Sequence, residues 1–215
     1  RIRPCTTVVF SPRKGMAALN WYADRLDNAK QAIALTAAFG INPVLAEVLG
    51  EDKDYLRYLL LERQGDNHDI YAADRDVLVS IGSNLRKDTL YRWTKEQLTG
   101  FNFHVRYIHT KFLLIDPLTN DPIIITGSAN FSEASTKNND ENMLVIRGDK
   151  RVADMYLGEF MRLFNHYYFR YHASRLCREL TTADKKRAFL SENDLWTNRY
   201  YDSGSVKTKQ RLLFA

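Results

Sequence analysis

The order in which short apolar runs and helix-period stripes follow one another restricts this chain more than any other feature. "TTVVFSP" is a β-branched strand stopped by Pro12. Behind it Leu19, Tyr22, Leu26, Ala29 and Ile33 recur at steps of three and four, the spacing of an amphipathic helix. "AIALTAAF" then reads as a buried strand, and Asn42-Pro43 supplies an N-cap and a first-turn residue for a second helix ending near Leu49. "YLRYLLLE" and "DVLVSIGS" are further apolar runs. Strands alternating with helices predict an α/β fold, a mostly parallel mixed β-sheet flanked by helices on both faces.

The second half continues with "FHVRYIHTKFLLID", a turn-rich "PLTNDP", the strand "IIITGSAN", polar "FSEASTKNND" and the strand "ENMLVI". Val152, Tyr156, Phe160, Leu163, Tyr167 and Tyr171 mark a long amphipathic helix with aromatics on its inner face. Beyond Ala173 the chain turns polar and irregular, so a lobe over 1–172 and a C-terminal extension over 173–215 are expected. The closing "SVKTKQRLLFA" either packs back on the body or reaches a neighbour.

At 215 residues the chain has room for one domain with a real core, and no apolar run approaches the length that spans a bilayer. It opens on Arg1 rather than Met, so an upstream region is expected. Cys5 and Cys177 lack the close spacing of metal or redox pairs and read as plain thiols of a reducing, cytoplasmic compartment. A net charge of +5 and a pI near 9.1 favour an anionic partner, whether nucleic acid, an acidic membrane surface or a phosphate ester.

Within "YIHTKFLLID" the residues His109 and Lys111 interrupt an apolar run that closes on Asp116. Desolvating a base and a cation is costly and calls for a reason. If the run is a strand, its period of two sends His109 and Lys111 to one face and Ile108, Thr110 and Phe112 to the other. An imidazole with an ordinary pKa of about 6.5 is a competent nucleophile near neutrality, and a nearby ammonium favours its neutral form. Lys111 would also neutralise an anionic substrate. The pair suits a phosphodiester, whose transfer asks mainly for positioning and for charge compensation of the non-bridging oxygens. "TGSAN" adds Gly127, Ser128 and Asn130 at the end of the next strand, before residues able to open a helix, which is a favoured place for an anion.

Taken together, "HTKFLLID", "GSANF" and "ENMLVI" resemble the H-x-K-x-x-x-x-D, G-S-x-N and downstream glutamate elements of the phospholipase D superfamily, and the similarity extends roughly from Thr7 to Tyr171. The resemblance implies a phospholipase D-like lobe and a metal-independent phosphodiesterase with no cofactor. In it, His109 is the histidine that forms a phosphohistidine or serves as its general-acid partner. Lys111, Ser128 and Asn130 match the phosphate-binding positions. Asp116 matches the motif aspartate, usually a structural hydrogen-bonding residue, and Glu141 the acidic residue that orients the histidine. The expected substrate is nucleic acid, slightly favoured by charge, or phospholipid, and transfer of the phosphoryl or phosphatidyl group to an alcohol instead of water is open to either.

Two departures from the family pattern stand out. The stretch from Asp116 to Gly127 is longer than usual, and "PLTNDP" reads as an extended hairpin that absorbs the difference. There is also a single H-x-K, whereas the family's chemistry uses two histidines. The second half-site is therefore expected from a homodimer mate or from an upstream domain. The rival from another class is a non-catalytic half-domain that binds phosphate or nucleic acid. The remaining histidines, His68, His104, His166 and His172, read as surface or helix-face residues.

Overall fold

A computed structural model describes residues 5–65, 69, 71, 74–82, 107–179 and 191–215; of 173–179 only the helical backbone is described. His68, His104 and the "FHVR" part of the expected strand lie outside these residues. The described residues form strands β1 (Cys5–Ser11), β2 (Ala32–Ala37), β3 (Leu56–Leu61), β4 (Val77–Ile81), β5 (Phe112–Ile115), β6 (Ile123–Gly127) and β7 (Glu141–Arg147). The helices are α1 (Ala17–Asp27), α2 (Pro43–Gly50), α3 (Glu133–Lys137), α4 (Lys150–Glu179) and α5 (Val206–Leu213).

All seven strands join one sheet in the order β1-β7-β6-β5-β2-β3-β4. Helices cover both faces, as the alternation of elements predicts. Leu19, Tyr22 and Leu26 of α1 and Leu45 and Leu49 of α2 seal one face. Phe160, Phe164 and Tyr167 of α4 seal the other, where Tyr58 and Phe112 meet Phe160 edge-on. Every residue of β2, β3, β4 and β5 is buried, the mark of strands covered on both sides.

The sheet is mixed, but less parallel than the alternation suggests. Only β2-β3 and β3-β4 run parallel, whereas β1-β7, β2-β5, β5-β6 and β6-β7 run antiparallel. The physical reason lies in the connections. β2 reaches β3 through α2, long enough for a crossover, while β5 returns to β6 through the short "DPLTNDP" hairpin, which forces antiparallel pairing.

Two boundaries also differ from the sequence reading. The stripe from Leu19 to Ile33 does not form one helix: α1 ends at Asp27, the Asn28 amide closing on Asp24, and Ile33 is buried inside β2. Conversely, α4 runs on to Glu179, across the expected boundary at 172/173. The tail folds back on the body. Val206 and Leu213 of α5 pack on the α4 face, and Lys209 Nζ meets the buried Asp76 at 2.6 Å.

Candidate phosphodiester site

Strand register fixes where the motif residues stand. Phe112 pairs with Thr36 and Thr126, Gly127 with Met143, and Ser11 with Glu141. The starts of β5 and β7 therefore share one end of the sheet with the finishes of β1, β2 and β6. The residues just before β5, just after β6 and at the head of β7 are His109 and Lys111, Ser128 and Asn130, and Glu141. Three segments far apart in sequence thus deliver five of the six candidate residues to one end, outside the finishing ends of several strands where ligands collect in α/β sheets.

His109 and Lys111 are not part of the strand, contrary to the period-two reading. β5 begins only at Phe112, and His109 and Thr110 are both exposed between buried Ile108 and buried Lys111. The cause is upstream: the amides of Tyr107 and Ile108 donate to a side chain, Glu62 Oε2, at 3.1 and 2.7 Å, not to a neighbouring strand. Lys111 is 9% exposed and its Nζ donates to the carbonyl of His109 at 2.8 Å.

Desolvation at this sheet end lowers the His109 pKa from its ordinary value, the Lys111 ammonium lowers it further, and Glu62 opposes both. Burial lowers the Lys111 pKa in turn, against the charge of Glu141. Both shifts favour the neutral forms, and an anion arriving beside Lys111 would favour its charged form again. Phe39, half-exposed after β2, meets the His109 ring edge-on with centroids 6.0 Å apart.

On the β6 side Ser128 N donates to Asn142 O at 2.9 Å, and Ser128 Oγ accepts from Asn142 N at 3.1 Å. This close pairing requires glycine before it: a Cβ on Gly127 would stand 2.2 Å from Asn142 O. Asn130 is half-buried, its carbonyl taking the Ser132 amide. The helix that follows is a single short piece, α3, whose Ser135 amide is already occupied by the Ser132 hydroxyl at 3.2 Å. An anion arriving here would meet side chains and the loop at Ser128, not a long helix N-terminus.

Glu141 heads β7, its Oε1 accepting from Asn139 Nδ2 at 3.4 Å, and among the described residues no hydrogen bond joins it to His109. Asp116 is the residue the structure keeps apart. It follows β5 at the opposite end of the sheet, where Oδ1 accepts from Lys30 N and Gln31 N at 2.9 and 2.7 Å. His166 and His172 lie on α4, the former ring against Tyr167. Among the described residues no cluster of three or more His, Cys, Asp or Glu has metal-holding geometry. Sequence reasoning missed Glu62 and Phe39. The one signal for Glu62 was a carboxylate closing the apolar "YLRYLLLE", which also reads as an ordinary strand end.

The model of the family described as "Cardiolipin synthase, PLD-like domain" matches residues 22–164. Among solved structures, the phospholipase D family member Nuc from Salmonella typhimurium is similar at 20% identity and a TM-score of 0.51, over 76% of this chain and 96% of that one. NucT from Helicobacter pylori matches at 15% identity and a TM-score of 0.53, over 75% of this chain and 96% of that one. A polyphosphate kinase from Porphyromonas gingivalis shares the fold at 12% identity and a TM-score of 0.51, over 74% of this chain but 26% of that one. No curated protein matches the chain in sequence.

Proposed function

The chain belongs to the phospholipase D-like family, and from that premise we propose that it is a metal-independent phosphodiesterase acting on nucleic acid through a phosphohistidine. The observation that carries this reading is the convergence of His109, Lys111, Ser128, Asn130 and Glu141 on one sheet end from three separate segments. His109 attacks phosphorus and forms a P–N bond while Lys111, Ser128 and Asn130 hold the non-bridging oxygens. The P–O bond to the leaving alcohol breaks, and that oxygen takes a proton from a second imidazolium on the far side. Water then attacks, gives a proton to the second imidazole, and releases His109.

One H-x-K per chain supplies only one of these imidazoles. In-line displacement needs them on opposite sides of phosphorus, so the second comes from a homodimer mate or from an upstream domain. A two-fold axis satisfies the requirement because an isologous contact sets the same surface of two copies face to face. The net charge of +5 supports nucleic acid as the substrate, while the family's description keeps a phospholipid as the second choice.

Hydrolysis of a bis-aryl phosphodiester, with and without a chelator, tests the reading directly. It should survive chelation and vanish in His109→Asn. Mixing the native chain with an equal amount of His109→Asn distinguishes the assemblies: compared with native chain at the same total chain concentration, a shared two-fold site gives about a quarter of the activity after subunit exchange, independent sites about half. Single-stranded DNA and phospholipid vesicles then compete for the same assay, and inhibition by DNA should weaken steeply with salt. A chain that binds DNA but turns over neither substrate is the non-catalytic half-domain, the reading the lone H-x-K favours next.

A further inference from the structure

We infer that Glu62 is a positioning residue for His109: its buried carboxylate stands in for a strand partner at Tyr107 and Ile108 and so fixes the backbone from which the imidazole projects. The inference rests on the catalytic reading of His109 given above. Glu62 directly follows β3, its own amide extending the β2-β3 ladder to Ala37 O at 3.1 Å, and it is 1% exposed. A carboxylate at that depth is costly unless it is hydrogen-bonded. Here Oε2 accepts two backbone amides, at 3.1 and 2.7 Å, and charge-assisted bonds of this kind are about twice as strong as neutral ones.

The surroundings are shaped to the same purpose. Gly82, after β4, has no room for a side chain: a Cβ would stand 2.8 Å from Tyr107 Cβ, 2.9 Å from Ile108 Cγ1 and 3.4 Å from Glu62 Oε2. From the helical face the Tyr167 hydroxyl donates to Tyr107 O at 3.5 Å, the two rings edge-on. Ile108 is 2% exposed. The segment entering His109 is therefore clamped by the ends of β3 and β4 and by α4, although it belongs to no strand.

The same carboxylate acts on the imidazole through space. Among the described residues, the charged groups bearing on His109 are Lys111, from its own segment, and Glu62, from the end of β3, while Glu141 of β7 bears on Lys111. Desolvation and Lys111 favour the neutral ring, and Glu62 favours the protonated one. In a two-histidine site one imidazole starts neutral and the other protonated, so a counterweight to Lys111 keeps this imidazole able to take the second part and carry the leaving-group proton.

The test pairs Glu62→Gln, which keeps an acceptor and removes the charge, with Glu62→Asp, which keeps the charge and shortens the reach. Titration of the His109 imidazole by NMR needs no turnover, so it remains informative even if the native chain proves inactive and the enzymatic reading fails. In Glu62→Gln the His109 titration, and with it the whole pH profile of kcat, should move to lower pH with KM unchanged. In Glu62→Asp the titration should stay nearer the native position while kcat drops at least tenfold. A His109 titration that is the same in Glu62→Gln as in the native chain overturns the electrostatic part, and native kcat in Glu62→Asp overturns the positioning part. If neither variant folds, amide exchange in the native chain decides: protection of Tyr107 and Ile108 is expected, and exchange at open-loop rates overturns the clamp.

Discussion

The Nζ of Lys111 donates to the backbone carbonyl of His109 at 2.8 Å, so the cation of the pair is folded beneath the imidazole-bearing residue instead of standing beside it. This ammonium braces the segment and at the same time suffers from its burial, which lowers its pKa. Replacing it tests which effect governs stability. Lys111→Met fills the same slot without a charge, losing one charge-assisted hydrogen bond worth about 2 kcal/mol net but relieving desolvation of a similar order. We expect thermal stability within about 1 kcal/mol of the native chain, together with loss of phosphodiester turnover. A deficit of several kcal/mol would show that the lysine is chiefly a structural brace.

His109 carries a pH signature of its own. Desolvation, then Lys111, holds its folded pKa below the ordinary 6.5, so the unfolded chain binds more protons in the window between the two values. Stability contributed by the neutral ring is present above that window and is lost as pH falls through it. Denaturant melts at about pH 5 and about pH 7.5 should show a larger drop on acidification for the native chain than for His109→Asn. Equal drops would mean that the ring titrates alike in both states.

Gly127 is required by close approach rather than by backbone freedom. Its missing Cβ leaves space for Asn142 O and for Met143, whose Cα and Sδ would each stand 2.8 Å from it. Gly127→Ala must push β7 away from β6 where Ser128 and Asn142 exchange hydrogen bonds. The expected loss is about 3 kcal/mol, at the upper end for overpacking because backbone atoms cannot step aside. Binding of inorganic phosphate, read by NMR shifts of the Ser128 amide, should weaken in the same variant. Native stability and native phosphate shifts together would show that the hairpin end yields without consequence.

Much of this arrangement is legible in the residues, for identifiable reasons. Buried strands such as "AIALTA" and the Asn42-Pro43 helix start depend on local chemistry, and the structure has them where that chemistry puts them, with Asn42 Oδ1 accepting from Val44 N at 3.0 Å. Pairing direction depends on whether a connection is a crossover or a hairpin, and an apolar run such as "IIITG" does not encode it. Ile33 continues the α1 stripe only because every residue of β2 is buried, so one of them falls at the helical spacing, while Ala29 lies in the turn between, its amide bonded to Leu26 O at 3.1 Å. The motif brings His109, Lys111, Ser128, Asn130 and Glu141 into view together. Glu62 stays hidden because its partners, the Tyr107 and Ile108 amides, are 45 and 46 residues away and carry no side-chain signature.

Asp116, although part of the same motif, works at the far end of the lobe. Its two carboxylate oxygens take the Lys30, Gln31 and Ala32 amides at 2.7 to 3.3 Å, and its own amide donates to Ala32 O at 2.8 Å, so it welds the end of β5 to the start of β2. The backbone there is left-handed, φ 50°, a conformation that Asn and Asp tolerate and alanine resists. Asp116→Ala therefore loses the acceptors and keeps the strained turn, and it should lower stability by about 3 kcal/mol. Asp116→Asn retains one acceptor and the turn preference, and should lose about 1 kcal/mol. Calorimetric melts of the two variants order them, and the amides of Lys30 and Gln31 should exchange faster in Asp116→Ala. Equal losses in the two variants would place the stabilisation in the charged carboxylate rather than in the turn preference that Asn retains, and native melting of Asp116→Ala would remove Asp116 from the structural frame altogether.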